Sequence, residues 1–209
     1  MKIAIIDYSI GNLFSVFQAC KAVGLKPYFA SEPSELKSAD GVILPGVGAF
    51  AAGMSSLRSA GLDEEVLSFI SSGKPFMGIC LGMQLLLESS QEFTASGGLG
   101  IFAGKVLPFR SVVAPELPVP KTTWSQIEPS KSGWLNSPLR SIPDGAHMYF
   151  VHSYYCEPDN DDCVLATSMY GDFSYSAAIQ KNNVFATQFH PEKSGEEGLR
   201  IYEAWAAAN

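Results

Sequence analysis

The sequence predicts an α/β fold: a mostly parallel central sheet flanked by helices, followed by an antiparallel, β-rich C-terminal half. Three observations carry this expectation. Up to residue 90, short apolar runs alternate with longer helix-like stretches, the pattern of right-handed strand–helix–strand crossovers that build parallel sheets. Beyond residue 100, short β-rich runs are separated by turn residues, which suits antiparallel strands. The chain has 209 residues, of which 46% are hydrophobic and 17% charged, enough for one globular domain spanning 1–209 with a substantial core.

Residues 2–7 (Lys-Ile-Ala-Ile-Ile-Asp) form an apolar run ending in an acid, suited to a strand buried on both faces. Gly11 and Asn12 open a helix over 13–23, with apolar residues at 13, 16, 17 and 20, and Gly24 ends it. A strand is expected over 27–30, a short helix over 34–38 and a third strand over 41–44, broken by Pro45-Gly46-Val47-Gly48. A helix over 62–71 leads to a strand ending at Cys80, and a further helix is expected over 81–89. In such sheets catalytic groups gather beyond the carboxyl ends of the strands, where Asp7, the 45–48 loop and Cys80 fall.

The second half reads as strands at 104–109, 124–128, 147–157, 163–168 and 175–180, with Asn182-Asn183 turning a hairpin into a strand over 184–189. Residues 195–208 close the chain as a helix. Residues 113–120, with three prolines, are the best candidate for an exposed loop. There is no repeat, low-complexity tract or linker.

The formal net charge of −7 argues against partners that are nucleic acids or acidic membranes. The four cysteines, at 20, 80, 156 and 163, match no metal-cluster or CxxC spacing, so no metal site and no disulfide framework is expected. Free thiols in a reducing, cytoplasmic setting are the economical reading. The apolar run after Lys2 is too short for a signal peptide, and no run approaches membrane-spanning length.

Pro75-Phe76-Met77-Gly78-Ile79-Cys80-Leu81-Gly82-Met83-Gln84 has the layout of a nucleophile elbow: an apolar strand runs into a reactive side chain and a helix leaves it. Glycines at 78 and 82 remove Cβ atoms that would block so tight a turn. The helix N-terminus would favour a thiolate at Cys80. On this segment alone Cys80 reads equally as a nucleophile or as a small buried apolar thiol.

A nucleophile needs a base. Among His147, His152 and His190, the last stands directly after an apolar strand in Gln188-Phe189-His190-Pro191-Glu192-Lys193, where Glu192 can orient the imidazole. His152 lies within a strand, where a histidine is more often structural, and His147 reads as exposed. An oxyanion would be held by N–H groups of the Pro45-Gly46-Val47-Gly48 loop and by the amide of Leu81. Gln84, one turn past Cys80, would face the same pocket.

Gly78-Ile79-Cys80-Leu81-Gly82-Met83-Gln84 with Gln188-Phe189-His190-Pro191-Glu192 resembles the signature pair of the class I (triad) glutamine amidotransferases, whose fold is flavodoxin-like. Four further segments sharpen the resemblance: Asp7-Tyr8-Ser9-Ile10-Gly11-Asn12-Leu13, Leu44-Pro45-Gly46-Val47-Gly48-Ala49-Phe50, Tyr149-Phe150-Val151-His152-Ser153-Tyr154-Tyr155 and His190-Pro191-Glu192-Lys193-Ser194. They are similar to the subfamily that forms the glutaminase subunits of imidazole glycerol phosphate synthases, and the similarity covers nearly the whole chain.

That resemblance implies roles. Cys80 would attack the glutamine carboxamide and form a γ-glutamyl thioester, His190 would shuttle the proton, and Glu192 would orient His190. The amides of Val47 and Leu81 would hold the oxyanion, with the Val47 peptide flipping into place. Gly46, Gly48, Gln84, Ser153 and Tyr154 would contact glutamine. No cofactor is implied. Ammonia would pass within a heterodimer to a (β/α)8 cyclase partner in histidine biosynthesis, with Tyr8, Asn12, Trp124, Tyr149 and Lys193 at or near the interface.

Two departures stand out. Ser9 replaces a usual glycine, and Pro120-Lys121-Thr122-Thr123-Trp124-Ser125 replaces Pro-His-Met-Gly-Trp-Asn in a region expected to face the partner. They leave open a paralogous subunit that feeds ammonia to amidino-sugar synthesis for surface polysaccharides. Readings of other classes are a redox-sensing cysteine protein of similar fold and a cysteine hydrolase of peptides.

Overall fold

The computed structural model describes residues 1–92, 95–131 and 133–207. The first half consists of β1 (Lys2–Ile6), α1 (Leu13–Ala22), β2 (Lys26–Ala30), α2 (Pro33–Leu36), β3 (Gly41–Gly46), α3 (Phe50–Ser59), α4 (Leu62–Ser71), β4 (Phe76–Cys80) and α5 (Leu81–Leu85). The second half contains β5 (Leu87–Ser90), β6 (Ser96–Gly97), β7 (Phe102–Pro108), β8 (Lys121–Gln126), β9 (Glu128–Pro129), β10 (His147–His152), β11 (Tyr154–Pro158), β12 (Val164–Tyr170), β13 (Phe173–Lys181), β14 (Val184–Thr187) and α6 (Gly195–Ala206).

The main sheet runs β2-β1-β3-β4-β14-β13-β11-β7-β5-β6, with β12 and β9 branching from β13. β2, β1, β3, β4 and β14 are mutually parallel. From β13 onward antiparallel pairing dominates, with β5–β7 a parallel exception. β8 and β10 form a separate antiparallel pair. The parallel strands are buried on both faces: Ile3 and Ile5 enter one core cluster, Ala4 and Ile6 the other. As a consequence of this order β14, the last strand among the described residues, lies beside β4, so residues 188–190 emerge next to Cys80.

The strand expected over 184–189 ends at Thr187 and that over 104–109 spans Phe102–Pro108, and four other elements differ more widely from the sequence expectation. The helix after Cys80 stops at Leu85 rather than continuing to 89, and the chain becomes strand β5. The cause is a tertiary contact: the carbonyls of Leu85, Leu86 and Leu87 accept the amides of Leu99, Ile101 and Gly100 instead of the next helical turn. Helix α3 was not expected, because its serines and Gly53 mask apolar residues at helical spacing, Phe50, Met54 and Leu57. The strand expected over 147–157 breaks at Ser153, so β10 and β11 belong to different sheets. The strand expected over 124–128 begins earlier, at Lys121, and ends at Gln126.

The hairpin at Asn182-Asn183 joins β13 to β14, with Asn182 at φ 53°. Residues 113–120 form no helix or strand. α6 ends at Ala206, and the expected last residue, Ala208, lies outside the described residues. Among the described residues no helix is long and apolar enough to cross a membrane.

Candidate active site

Cys80 sits at the junction of β4 and α5 with φ 54° and ψ −107°, a backbone region that L residues rarely occupy. The turn is as tight as the glycine pattern implies. A Cβ on Gly82 would lie 1.8 Å from the carbonyl oxygen of Leu44, and one on Gly78 would lie 2.9 Å from a Leu86 methyl. Packing of α5 against β3 therefore aims the thiol at the carboxyl edge of the sheet.

His190 follows β14 and is fixed by its backbone: its N–H donates to the carbonyl of Tyr149 at 2.9 Å. Its carbonyl accepts from Ser194 Oγ at 2.7 Å, and Ser194 Oγ in turn accepts from the N–H of Tyr149 at 3.0 Å. His190 Nδ1 donates to Glu192 Oε1 at 2.7 Å, and both side chains are at most 3% exposed. A carboxylate only accepts, so Nδ1 carries a proton and Nε2 is the nitrogen left to exchange one with Cys80. Burial alone would lower the pKa of His190, but interaction with Cys80 and then Glu192 outweighs it and raises the imidazole well above its usual range. Cys80, His190 and Glu192 thus converge as one buried cluster.

Beside this cluster lies a cavity of about 320 Å³, a size suited to a small molecule. Val47, Gly48, Cys80, Leu81, Gln84, Ser153 and Tyr154 line it, as do His152 and Pro120. The 45–48 loop overhangs the site; Gly48 takes φ 118° with open space at its Cβ position, so conformation rather than crowding calls for glycine. Gly46 is required for space: a Cβ there would lie 2.3 Å from the Tyr8 hydroxyl.

Glu92 is a functional candidate that the sequence pattern did not reveal. Its carboxylate, 42 residues from Phe50, accepts the Phe50 N–H and lines the cavity as the one acid among the described residues there. No spacing rule connects it to Cys80; only the turn of the chain at α5 brings it there.

Of the residues expected at a partner face, Asn12, Trp124 and Lys193 are exposed and Tyr149 is half-buried. Trp124 and Tyr149 pack edge to face at 5.9 Å, and the Lys193 ammonium lies 5.7 Å from the Tyr149 ring. Tyr8 is buried at 3% exposure, and its hydroxyl donates to the Pro45 carbonyl at 2.9 Å, so it underlies the 45–48 loop.

Lys121, within the segment expected to face a partner, turns into the core. It is fully buried, and its ammonium donates to the Met169 carbonyl at 3.0 Å and the Tyr175 hydroxyl at 2.8 Å. It also lies 4.6 Å from the Phe150 ring. Burial lowers its pKa to about 8. Its cross-strand neighbour His152 donates Nδ1–H to the Tyr154 carbonyl at 2.8 Å. Burial, and secondarily the charges of Lys121 and His190, push the His152 imidazole down to about 3 against the effect of that hydrogen bond, so it is neutral.

The sequence model of the family described as glutamine amidotransferase class-I matches residues 4–206. The chain is 46% identical over 206 residues to the imidazole glycerol phosphate synthase subunit HisH of Thermosynechococcus vestitus, covering 98% of this chain and 96% of that protein. It is 42% identical over 202 residues to the HisH subunit of Chlorobaculum tepidum, covering 97% and 98%. Among solved structures, that of PurLQS from Thermotoga maritima is similar in fold, with a TM-score of 0.74 at 17% identity over 98% of this chain and 97% of that one.

Proposed function

The chain belongs to the class I glutamine amidotransferases, and on that premise we propose that it is the glutaminase subunit of an imidazole glycerol phosphate synthase. It hydrolyses glutamine to glutamate and ammonia and hands the ammonia to a (β/α)8 cyclase partner in a heterodimer, in a cytoplasmic setting that suits its four free thiols. One observation carries the chemistry: Cys80 beside the buried His190–Glu192 pair, at the wall of a cavity of small-molecule size. Full-length relatives at 42–46% identity that bear the synthase-subunit name support the pathway.

The steps follow from the arrangement. Cys80 Sγ gives its proton to His190 Nε2, and the thiolate attacks the carboxamide carbon of glutamine. The oxyanion that develops is met by the amides of Leu81 and Val47. His190 then protonates the leaving nitrogen, ammonia departs and a γ-glutamyl thioester remains. Water, deprotonated by the same imidazole, releases glutamate and restores the thiol. Glu192 keeps the proton on Nδ1, so Nε2 is always the face that exchanges protons. Gln84, Glu92, Gly46, Gly48, Ser153 and Tyr154 bind the substrate, with the Glu92 carboxylate suited to its α-ammonium group.

The amidino-sugar alternative drew on Ser9 and on the altered segment 120–125. One of that segment's altered side chains, Lys121, is a core residue, so the change at that position bears on packing rather than on the partner surface, while Thr122 and Thr123 are exposed. No observation favours the alternative.

The test is glutamate release by the chain alone and with a (β/α)8 cyclase and its nucleotide acceptor. Slow turnover alone, strong stimulation in the complex, and a Cys80→Ser variant at least roughly a thousandfold slower in the complex are expected. Retained activity in Cys80→Ser, or no response to the partner, would overturn the proposal.

A further inference from the structure

The five-residue helix α5 offers Cys80 little macrodipole. A thiolate at this position needs a local donor. We propose that the Gln188 side chain is that donor, a catalytic residue whose Nε2–H stabilises the Cys80 thiolate, with Gln84 as the positioning residue that fixes its orientation.

Gln188 is fully buried, and its Nε2 lies 3.7 Å from Cys80 Sγ. A side-chain amide could in principle point either end at the sulfur. Here the choice is made by a backbone carbonyl, which cannot flip. The Tyr154 carbonyl accepts from Gln84 Nε2 at 3.2 Å, so the amino end of Gln84 faces it. The same amino group donates to Gln188 Oε1 at 3.1 Å. Gln188 must then present its own amino group to the sulfur. Reversing Gln188 would set two donors against each other at Gln84, and reversing Gln84 as well would set its oxygen against the Tyr154 carbonyl. The series carbonyl, Gln84, Gln188, sulfur therefore has one polarity.

The opposite state of the sulfur also has a partner. The protonated thiol points toward the Val151 carbonyl at 3.8 Å. The two contacts define an exchange: the S–H proton leaves the direction of Val151 O for His190 Nε2, the electron pair stays on sulfur, and the Gln188 N–H becomes a charge-assisted hydrogen bond. Gln188 thus favours the thiolate at the moment the imidazole takes the proton. The proposal rests on the glutaminase reading only for its substrate, since thiol ionisation can be measured without glutamine.

The test is the pH dependence of Cys80 alkylation by iodoacetamide, in a Cys163→Ser background because Cys163 is the partly exposed thiol while Cys20 and Cys156 are buried. Titratable groups around the sulfur, Tyr8, Glu92, His152, Cys156 and His190, are retained in every variant. Gln188→Leu keeps the bulk and removes the donor; its alkylation midpoint should rise by about one pH unit, with roughly tenfold less thiolate below the midpoint. Gln188→Glu places a carboxylate on the sulfur and should raise the midpoint further. Gln84→Leu, which releases the Gln188 amide from its fixed orientation, should raise it by less. For glutamine hydrolysis by the Gln188→Leu complex, kcat should fall about tenfold at neutral pH with KM little changed. Folding is checked by circular dichroism. An unchanged midpoint in any folded Gln188 variant would overturn the proposal, because a packing role would alter melting but not thiol ionisation. A shifted midpoint in a protein without glutaminase activity would instead sink the function proposed above and leave this one standing.

Discussion

At the scale of the residue, Cys80 is defined by a conflict between its backbone and its side chain. A φ of 54° suits glycine, yet the position carries a side chain. Strain of this kind costs about 1–3 kcal/mol, and the surrounding β4–α5 packing holds it in place. Comparing Cys80→Gly with Cys80→Ala isolates it, because both variants lose the sulfur. The glycine variant should be more stable than the alanine variant by about 1 kcal/mol, after allowing for its more flexible unfolded chain. Both should be inactive. Thermal unfolding of the two checks this; an alanine variant that melts higher would mean the elbow is unstrained. That Cys80, His190 and Glu192 come together was legible in the sequence, because each sits in a short motif whose neighbours state its geometry. The place of Glu92 at the cavity and the inward turn of Lys121 were not, and Gln188 was visible only as part of a motif. Its role depends on Gln84, 104 residues away, and no local pattern encodes which amide end meets the sulfur.

At the scale of the element, the decisive contact is α5 on β3. Gly82 lets the helix approach so closely that an added Cβ would meet the Leu44 carbonyl oxygen at 1.8 Å. Backbone atoms cannot step aside as a flexible side chain can. Gly82→Ala should therefore destabilise the protein by about 4 kcal/mol or more, or prevent soluble expression. Gly97→Ala, where nothing lies within 4 Å, is the control and should change stability by less than about 0.5 kcal/mol. Urea denaturation of both variants measures the contrast, and a mild effect at Gly82 would show that the elbow can open. The elements themselves were legible in proportion to how local their causes are. β1, β3, β4 and the 182–183 hairpin follow from apolar runs and turn residues. α5 ended early because carbonyls at 85–87 are claimed by amides from 99–101, a tertiary event that the leucine run of 85–87 conceals. α3 was missed for the opposite reason, since its periodic apolar residues are diluted by poor helix formers.

At the scale of the whole molecule, the small β8–β10 sheet must be held against the main sheet, because it carries Tyr149, Val151 and His152 to the site. Lys121 is the pin. From β8 its ammonium reaches the Met169 carbonyl of β12 and the Tyr175 hydroxyl of β13, and it lies over the Phe150 ring of β10. Holding a charge there has a cost that pH can reveal. The pKa falls from 10.5 to about 8 on folding, so between these values the unfolded chain binds more protons than the folded one. Stability contributed by this group therefore rises as pH climbs from about 8 to 10.5, by up to ~3 kcal/mol in total. Cys20 acts in the opposite sense, because burial raises its thiol pKa to about 12 and folding then becomes less favourable as alkali ionises the unfolded thiol. The absolute curve mixes these effects, and the difference between wild type and Lys121→Met removes all but the lysine. At neutral pH the methionine variant should equal or exceed the wild type in stability, since it buries similar volume without a charge. As pH rises the difference should shift steadily toward the wild type. Urea unfolding of both proteins at pH 7, 8, 9 and 10 measures it. A difference independent of pH would mean that the Lys121 ammonium reaches water, and that the small sheet is held to the main one by apolar packing and by bonds such as that from Ser168 Oγ to the Gln126 carbonyl rather than by this lysine.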